Sequence, residues 1–151
     1  SIGACLANER RRTVLINGDG AFQMNIQELE TIVRLQLPVK IFIWNNQGYA
    51  SIRSMQNNNF GGFQVASGES SGLSMPDTVK VAEAYGLKTF RIMNKQQLEE
   101  QIDNVLNTEG PVLCELMISP DETVSPRTKT IVHEDGTMES YPLEKMWPDV
   151  D

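Results

Sequence analysis

The chain has 151 residues, 40% of them apolar and 22% charged, which suits a single domain of roughly 100 to 150 residues and excludes a disordered tail or a fibrous repeat. Thirteen Lys and Arg against twenty Asp and Glu leave a net charge of −7, so binding to a nucleic acid or an anionic bilayer through bulk charge is excluded. Any phosphate bound here must be held locally, by backbone N–H groups, a helix terminus or a metal ion.

The opening Ser1 to Asn8 carries no basic leader and no initiator Met, and it reads as the tail of a helix entered midway, as in a piece cut from a longer protein. Arg10, Arg11 and Arg12 read as its solvated end. Thr13 to Asn17 is a short β-rich run that ends in the turn Gly18-Asp19-Gly20. From Phe22 to Leu37 apolar residues recur at helical spacing until Pro38, which predicts one helix of about four turns. Within it Met24 is expected in the core, and Glu28 and Glu30 face water.

Val39 to Trp44 is a second strand, far short of the roughly 20 apolar residues of a membrane span, and it runs into Asn45-Asn46-Gln47-Gly48. Trp44 is expected to pack in the core beside the turn. Residues 50 to 75, rich in Asn, Gly and Ser, read as a long surface loop. Pro76-Asp77 opens a helix to about Tyr85, Gly86 closes it, and Leu87 to Ile92 is the third strand. Asn94 is the expected cap of a helix carrying Leu98, Ile102, Val105 and Leu106, with Glu99 and Glu100 on its wet side. Pro111 to Ile118 is the last strand, and residues 119 to 151 form an irregular tail whose Tyr141, Pro142, Leu143, Met146 and Trp147 are available for packing.

Strands alternating with helices predict an α/β domain of three layers around a central, mostly parallel sheet, with ligands bound beyond the carboxyl ends of its strands. Both unusual turns lie at that edge. If their strands are neighbours, about 4.8 Å apart, Asp19 and Asn46 emerge on one rim, where a carboxylate, an amide oxygen and a carbonyl offer hard oxygen ligands to Mg²⁺. Gly18 and Gly20 let the backbone approach a phosphate closely, and Gly20 and Ala21 present N–H groups as a helix begins. A Gly-Asp-Gly turn alone is ordinary punctuation between elements; its pairing with Asn-Asn across one strand-helix-strand crossover is what points to a bound diphosphate.

That pairing resembles the thiamine diphosphate enzymes, whose signature is Gly-Asp-Gly, a crossover and then Asn-Asn. Gly18 to Leu29, Asn45 to Arg53, Ser71 to Asp77 and Tyr141 to Met146 are similar to the C-terminal diphosphate-binding domain of acetolactate synthase-like enzymes. The resemblance implies that the whole chain, 1–151, is this domain. Asp19 and Asn46 would then ligate Mg²⁺ by side chains and Gly48 by its carbonyl, Gly18, Gly20 and Ala21 would cradle the diphosphate, and Tyr49, Ala50 and Ser51 would border the thiazolium. It also implies a transferase or lyase acting on a pyruvate-like 2-oxo acid in a homo-oligomer. The pyrimidine-binding and middle domains lie outside this chain, the former reaching the site from a partner subunit with the activating glutamate. No residue of this chain is expected to be catalytic by itself, and the fragment is expected to be inactive alone.

Other features carry less. Cys5 and Cys114 lie far apart within apolar patterns, as buried thiols of a reducing compartment do, and the cytoplasm is the expected location. His133 sits in a polar turn and reads as a solvated residue. A dinucleotide-binding module would need a third glycine where Gln23 stands, and a receiver-like module would need clustered acids. A carboligase is the first reading. A decarboxylase or oxidase of the same family and a cofactor-free interaction module are the alternatives.

Overall fold

A computed structural model describes residues 1–96, 98–122, 125–128 and 130–148. Four runs rich in β-branched and apolar residues form β1 (Thr13–Gly18), β2 (Val39–Asn45), β3 (Lys88–Ile92) and β4 (Val112–Met117). All pair in parallel, in the order β1-β2-β4-β3. Because side chains alternate along a strand, Ile41, Ile43 and Leu113 point to one face and Phe42, Val112 and Cys114 to the other. The first set packs with Cys5 of α1 (Ile2–Ala7), Phe22 of α2 (Asp19–Gln23), Leu29 and Ile32 of α3 (Glu28–Arg34) and, beyond a helix α4 (Ala50–Asn59), Ala82 of α5 (Thr78–Ala84). The second packs under α6 (Leu98–Asn107) through Val105, Ile102 and Leu106. These are the three layers that the strand-helix alternation predicts.

Each Val, Leu, Ile and Phe in these cores contributes on the order of 1.5–3 kcal/mol by leaving water. Strand β2 is buried on both faces over Val39 to Ile43, and it includes Lys40. The Lys40 ammonium donates to the carbonyls of Thr108 and Gly110, which ties the start of β2 to the turn after α6. Burial, together with the nearby Arg12 and Lys88 charges, pulls its pKa below the ordinary value. Both cysteines are buried and free, and burial, with the Glu115 charge adding to it, pushes the Cys114 thiol up to about 11.

Several local readings are corrected. The helix over Phe22 to Leu37 is two helices, beginning already at Asp19 and joined through tight turns in which Asn25 and Glu28 donate three residues back to Phe22 and Asn25. Residues 50 to 75 are not one loop, since Ala50–Asn59 forms α4 and Glu69–Ser71 a single 3-10 turn. No residue of α4 is buried, so it leaves no apolar periodicity to read. Asn94 Oδ1 accepts from the Gln96 N–H in a local turn ahead of α6, and Gln97, the residue just before that helix, lies outside the described residues. Met24 and Trp44 are not core residues, being 67% and 47% exposed.

The tail, read as irregular, carries two small antiparallel ribbons. One joins β5 (Arg127–Thr128) to β8 (Met146–Trp147), and the other joins β6 (Thr130–Val132) to β7 (Met138–Ser140). Arg127 anchors the tail by donating to the Ser54 hydroxyl of α4 at 3.1 Å, with its guanidinium stacked over Trp147.

Candidate functional site

Strand register decides where the two unusual turns meet. Gly18 pairs with Trp44, so the residues that follow each leave adjacent strand ends. Asp19 opens α2 and is 1% exposed. Its Oδ2 accepts from the Gly48 N–H at 2.9 Å and its Oδ1 from the Gly20 N–H at 2.9 Å. Burial raises the Asp19 pKa, and the N–H groups of Gly48 and Gly20 oppose that rise. Among the described residues no Lys, Arg or His forms an ion pair with it. The result is a buried acid held by dipoles alone.

The facing turn is tightly specified. Asn45 Oδ1 accepts from the Gln47 N–H at 3.0 Å, which bends the chain so that Gln47 and Gly48 take φ of 62° and 136°. Only glycine fits the second position, because a Cβ there would stand 2.5 Å from the Ser67 carbonyl oxygen. The Tyr49 N–H donates to that same oxygen at 3.0 Å. Arg53 of α4 then clamps three carbonyls, those of Asn46 at 3.1 Å, Ser67 at 3.3 Å and Pro120 at 2.8 Å. The Tyr49 ring lies directly on Gly20, where a Cβ would meet it at 2.4 Å.

The Asn46 amide closes the site. One of its terminal atoms stands 3.3 Å from Asp19 Oδ1 and 2.9 Å from the Gly48 carbonyl oxygen. With nitrogen at that position the amide donates to both; with oxygen there, it faces the Asp19 carboxylate and the Gly48 carbonyl. Oxygens about 2.1 Å from an octahedral Mg²⁺ lie about 3.0 Å from one another. The spacing therefore suits a small hard cation as well as it suits a hydrogen-bonded amide.

Asp19, Gly20, Asn46, Gly48 and Tyr49 are thus brought together, while Gly18, Ala21, Ala50 and Ser51 flank them along the chain. Ser51, in the first turn of α4, lines a cavity of about 950 Å³ between that helix and the tail, with Met55, Arg127, Tyr141 and Trp147 on its walls. Tyr141 and Trp147 of the tail line it yet stay 37% and 49% exposed, and Leu143 is 72% exposed. His133 is 3.2 Å from Glu139 in an exposed ribbon. Among the described residues no cluster of three His, Cys, Asp or Glu has metal-binding spacing.

Sequence reasoning missed Asn45, Arg53, Arg91 and Glu115. Glu115 is 1% exposed in β4, and its carboxylate accepts from Asn45 Nδ2 at 2.7 Å and from Arg91 Nε at 2.5 Å. An acid inside the apolar run Pro111 to Met117 was the available signal, since such a residue persists there only when paired.

Residues 1–116 match the family described as thiamine pyrophosphate enzyme, C-terminal TPP binding domain. The chain belongs to that family. Curated relatives of this thiamine pyrophosphate-binding domain include the acetolactate synthase large subunit of Pyropia yezoensis, 38% identical over 126 residues, or 83% of this chain and 21% of that protein. The acetolactate synthase isozyme 2 large subunit of Escherichia coli is 36% identical over 146 residues, covering 97% of this chain and 25% of the relative. A third, from Cyanidium caldarium, is 35% identical over 126 residues. The chain spans about a fifth to a quarter of the length of these relatives. No helix among the described residues is long and apolar enough to cross a membrane.

Proposed function

We propose that this domain anchors thiamine diphosphate through Mg²⁺ within a longer enzyme that joins pyruvate-like 2-oxo acids, as an acetolactate synthase does. The observation that carries the reading is that one atom of the Asn46 amide stands 3.3 Å from Asp19 Oδ1 and 2.9 Å from the Gly48 carbonyl oxygen. Asp19 and Asn46 would hold the ion by side chains and Gly48 by its carbonyl, which also places a compensating charge beside the buried carboxylate. The Gly20 N–H, now satisfied by Asp19, would turn with that of Ala21 to the diphosphate, while Gly18 keeps the approach open. Tyr49, Ala50 and Ser51 would border the reacting end of the cofactor. When bound, thiamine diphosphate supplies the electron sink for decarboxylating a 2-oxo acid. This chain's part is to bind and orient it, so the isolated domain would be inactive. The pyrimidine-binding domain of a partner subunit, a homo-oligomer and a cytoplasmic setting belong to the same proposal.

One observation favours a second reading. With its nitrogen turned to Asp19, the Asn46 amide satisfies the turn without any ion, as a cofactor-free interaction module would need. Calorimetry of the full-length protein separates the two: thiamine diphosphate should bind only with Mg²⁺, Asp19→Ala should weaken it by more than about 100-fold, and Asn46→Ala by about 10-fold or more. Absent binding would favour the module, and metal-independent binding would overturn the role of the ion while keeping the cofactor. Pyruvate products then assign the chemistry, acetolactate for a carboligase and acetaldehyde or acetate for a decarboxylase or oxidase.

A further inference from the structure

The turn that carries Asn46 and Gly48 is held from beneath by residues that touch neither Asp19 nor the proposed ion. Asn45 stands at the end of β2, and its amide works in two directions. Its Oδ1 accepts from the Gln47 N–H at 3.0 Å, and its Nδ2 donates to Glu115 Oε1 at 2.7 Å. The other Glu115 oxygen accepts from Arg91 Nε at 2.5 Å, and Arg91 Nη2 donates to Asp77 Oδ1 at 2.8 Å. Both atoms of the Asn45 amide and both oxygens of the Glu115 carboxylate thus have a partner. The Glu115 carboxylate, fixed on β4 by burial and on β3 by Arg91, leaves Asn45 no choice but to turn its oxygen toward Gln47.

That choice sets the conformation of the next two residues. An amide oxygen aimed at the Gln47 N–H closes the bend in which Gln47 lies at φ 62°, a left-handed position that a residue with a Cβ rarely adopts without local support. From there Gly48 reaches φ 136° and puts its N–H on Asp19 Oδ2 and its carbonyl beside Asn46. We infer that Glu115 and Asn45 are positioning residues for the Mg²⁺ site, acting as a relay that locks the Asn45 amide so that Asn46 and Gly48 meet Asp19 in ligand geometry. The inference rests on the proposed role of Asp19, Asn46 and Gly48 in holding the ion.

The relay makes a directional prediction that bulk stabilisation does not. In Glu115→Gln, the new amide must offer its oxygen to Arg91 Nε, and its nitrogen then opposes Asn45 Nδ2, donor against donor. In Asn45→Asp the acceptor for Gln47 survives, but a carboxylate faces Glu115. Combined, the two changes restore every bond with one donor reversed. The new amide on β4 donates its N–H to the new carboxylate on β2 and still accepts from Arg91, and that carboxylate still accepts from the Gln47 N–H. The measurement is Mg²⁺ affinity of the full-length protein, titrated calorimetrically with thiamine diphosphate present, alongside a denaturation midpoint for each variant.

Each single variant should weaken Mg²⁺ binding about 10-fold or more, in the range of outer-shell changes at metal sites, and the double variant should return to within about threefold of the parent. Asn45→Ala, at the partly exposed end of β2 where folding is not at risk, should weaken binding without any charge change. Unaltered affinity in Asn45→Ala, or a double variant as weak as the worse single one, overturns the relay while leaving the proposed function standing. A parent protein that binds no Mg²⁺ with thiamine diphosphate overturns the proposed function, and the relay with it.

Discussion

At the scale of single residues the glycines of the site are not equivalent. Gly48 has φ 136° and backbone oxygen within 2.5 Å of where a Cβ would stand, so Gly48→Ala must break either the turn or its contact with Ser67. A loss of more than about 2 kcal/mol in urea denaturation is expected, since strain and overpacking add. Gly18 sits in extended backbone at φ −86° with nothing within 4 Å of a Cβ, and Gly18→Ala should leave stability within about 0.5 kcal/mol. If Gly18 serves a diphosphate, its cost appears only in cofactor affinity. The sequence makes Asp19, Asn46 and Gly48 legible because charge, amide and glycine at strand ends are rare together. It does not show Asn45, Arg53 or Glu115, because what those residues do depends on partners 7 to 70 positions away.

At the scale of elements, legibility follows burial. Strands β1 to β4 and helix α5 are legible nearly to their ends because each presents an apolar face to the sheet. Helix α4 is not, having no buried face, and the break between α2 and α3 is hidden because Phe22, Ile26 and Leu29 keep helical spacing through the tight turns. Helix α5 also carries a clear cap, with Asp77 Oδ1 accepting from the Lys80 N–H at 3.1 Å and from Arg91 Nη2 at 2.8 Å. That N–H, and then the Arg91 guanidinium, hold the Asp77 pKa below its ordinary value of 3.8. Asp77→Ala should cost about 1 kcal/mol at neutral pH. A lowered carboxylate pKa stabilises fully above 3.8 and loses that contribution as pH falls through the lowered value. Urea midpoints of parent and variant should therefore converge on acidification, and a constant difference down to strong acid would mean that the cap does not depend on charge.

At the scale of the whole molecule, the two faces of the sheet are covered unequally. Helices α1, α2, α3 and α5 share the packing of one face, but among the described helices only α6 packs on the other, over β2, β4 and β3. Register puts Val14 beside Lys40, Ile16 beside Phe42 and Gly18 beside Trp44, so Val14, Ile16 and Trp44 continue that second face beyond the reach of α6. They are 50%, 60% and 47% exposed. In the four-stranded sheet β1 is also an edge, so an apolar face and an open backbone edge coincide there. The 151-residue chain should therefore self-associate in solution. Its net charge of −7 opposes that contact at long range, so sedimentation should show association growing with salt as repulsion is screened. Ile16→Lys should suppress both the association and the binding of a hydrophobic dye while leaving the denaturation midpoint of the dilute, unassociated chain nearly in place, because the side chain it replaces is 60% exposed there. The same change at Ile41, buried in the centre of the sheet, should unfold the domain. Association that survives Ile16→Lys unchanged would place the contact elsewhere on the surface and leave the open face of β1 without a role in it.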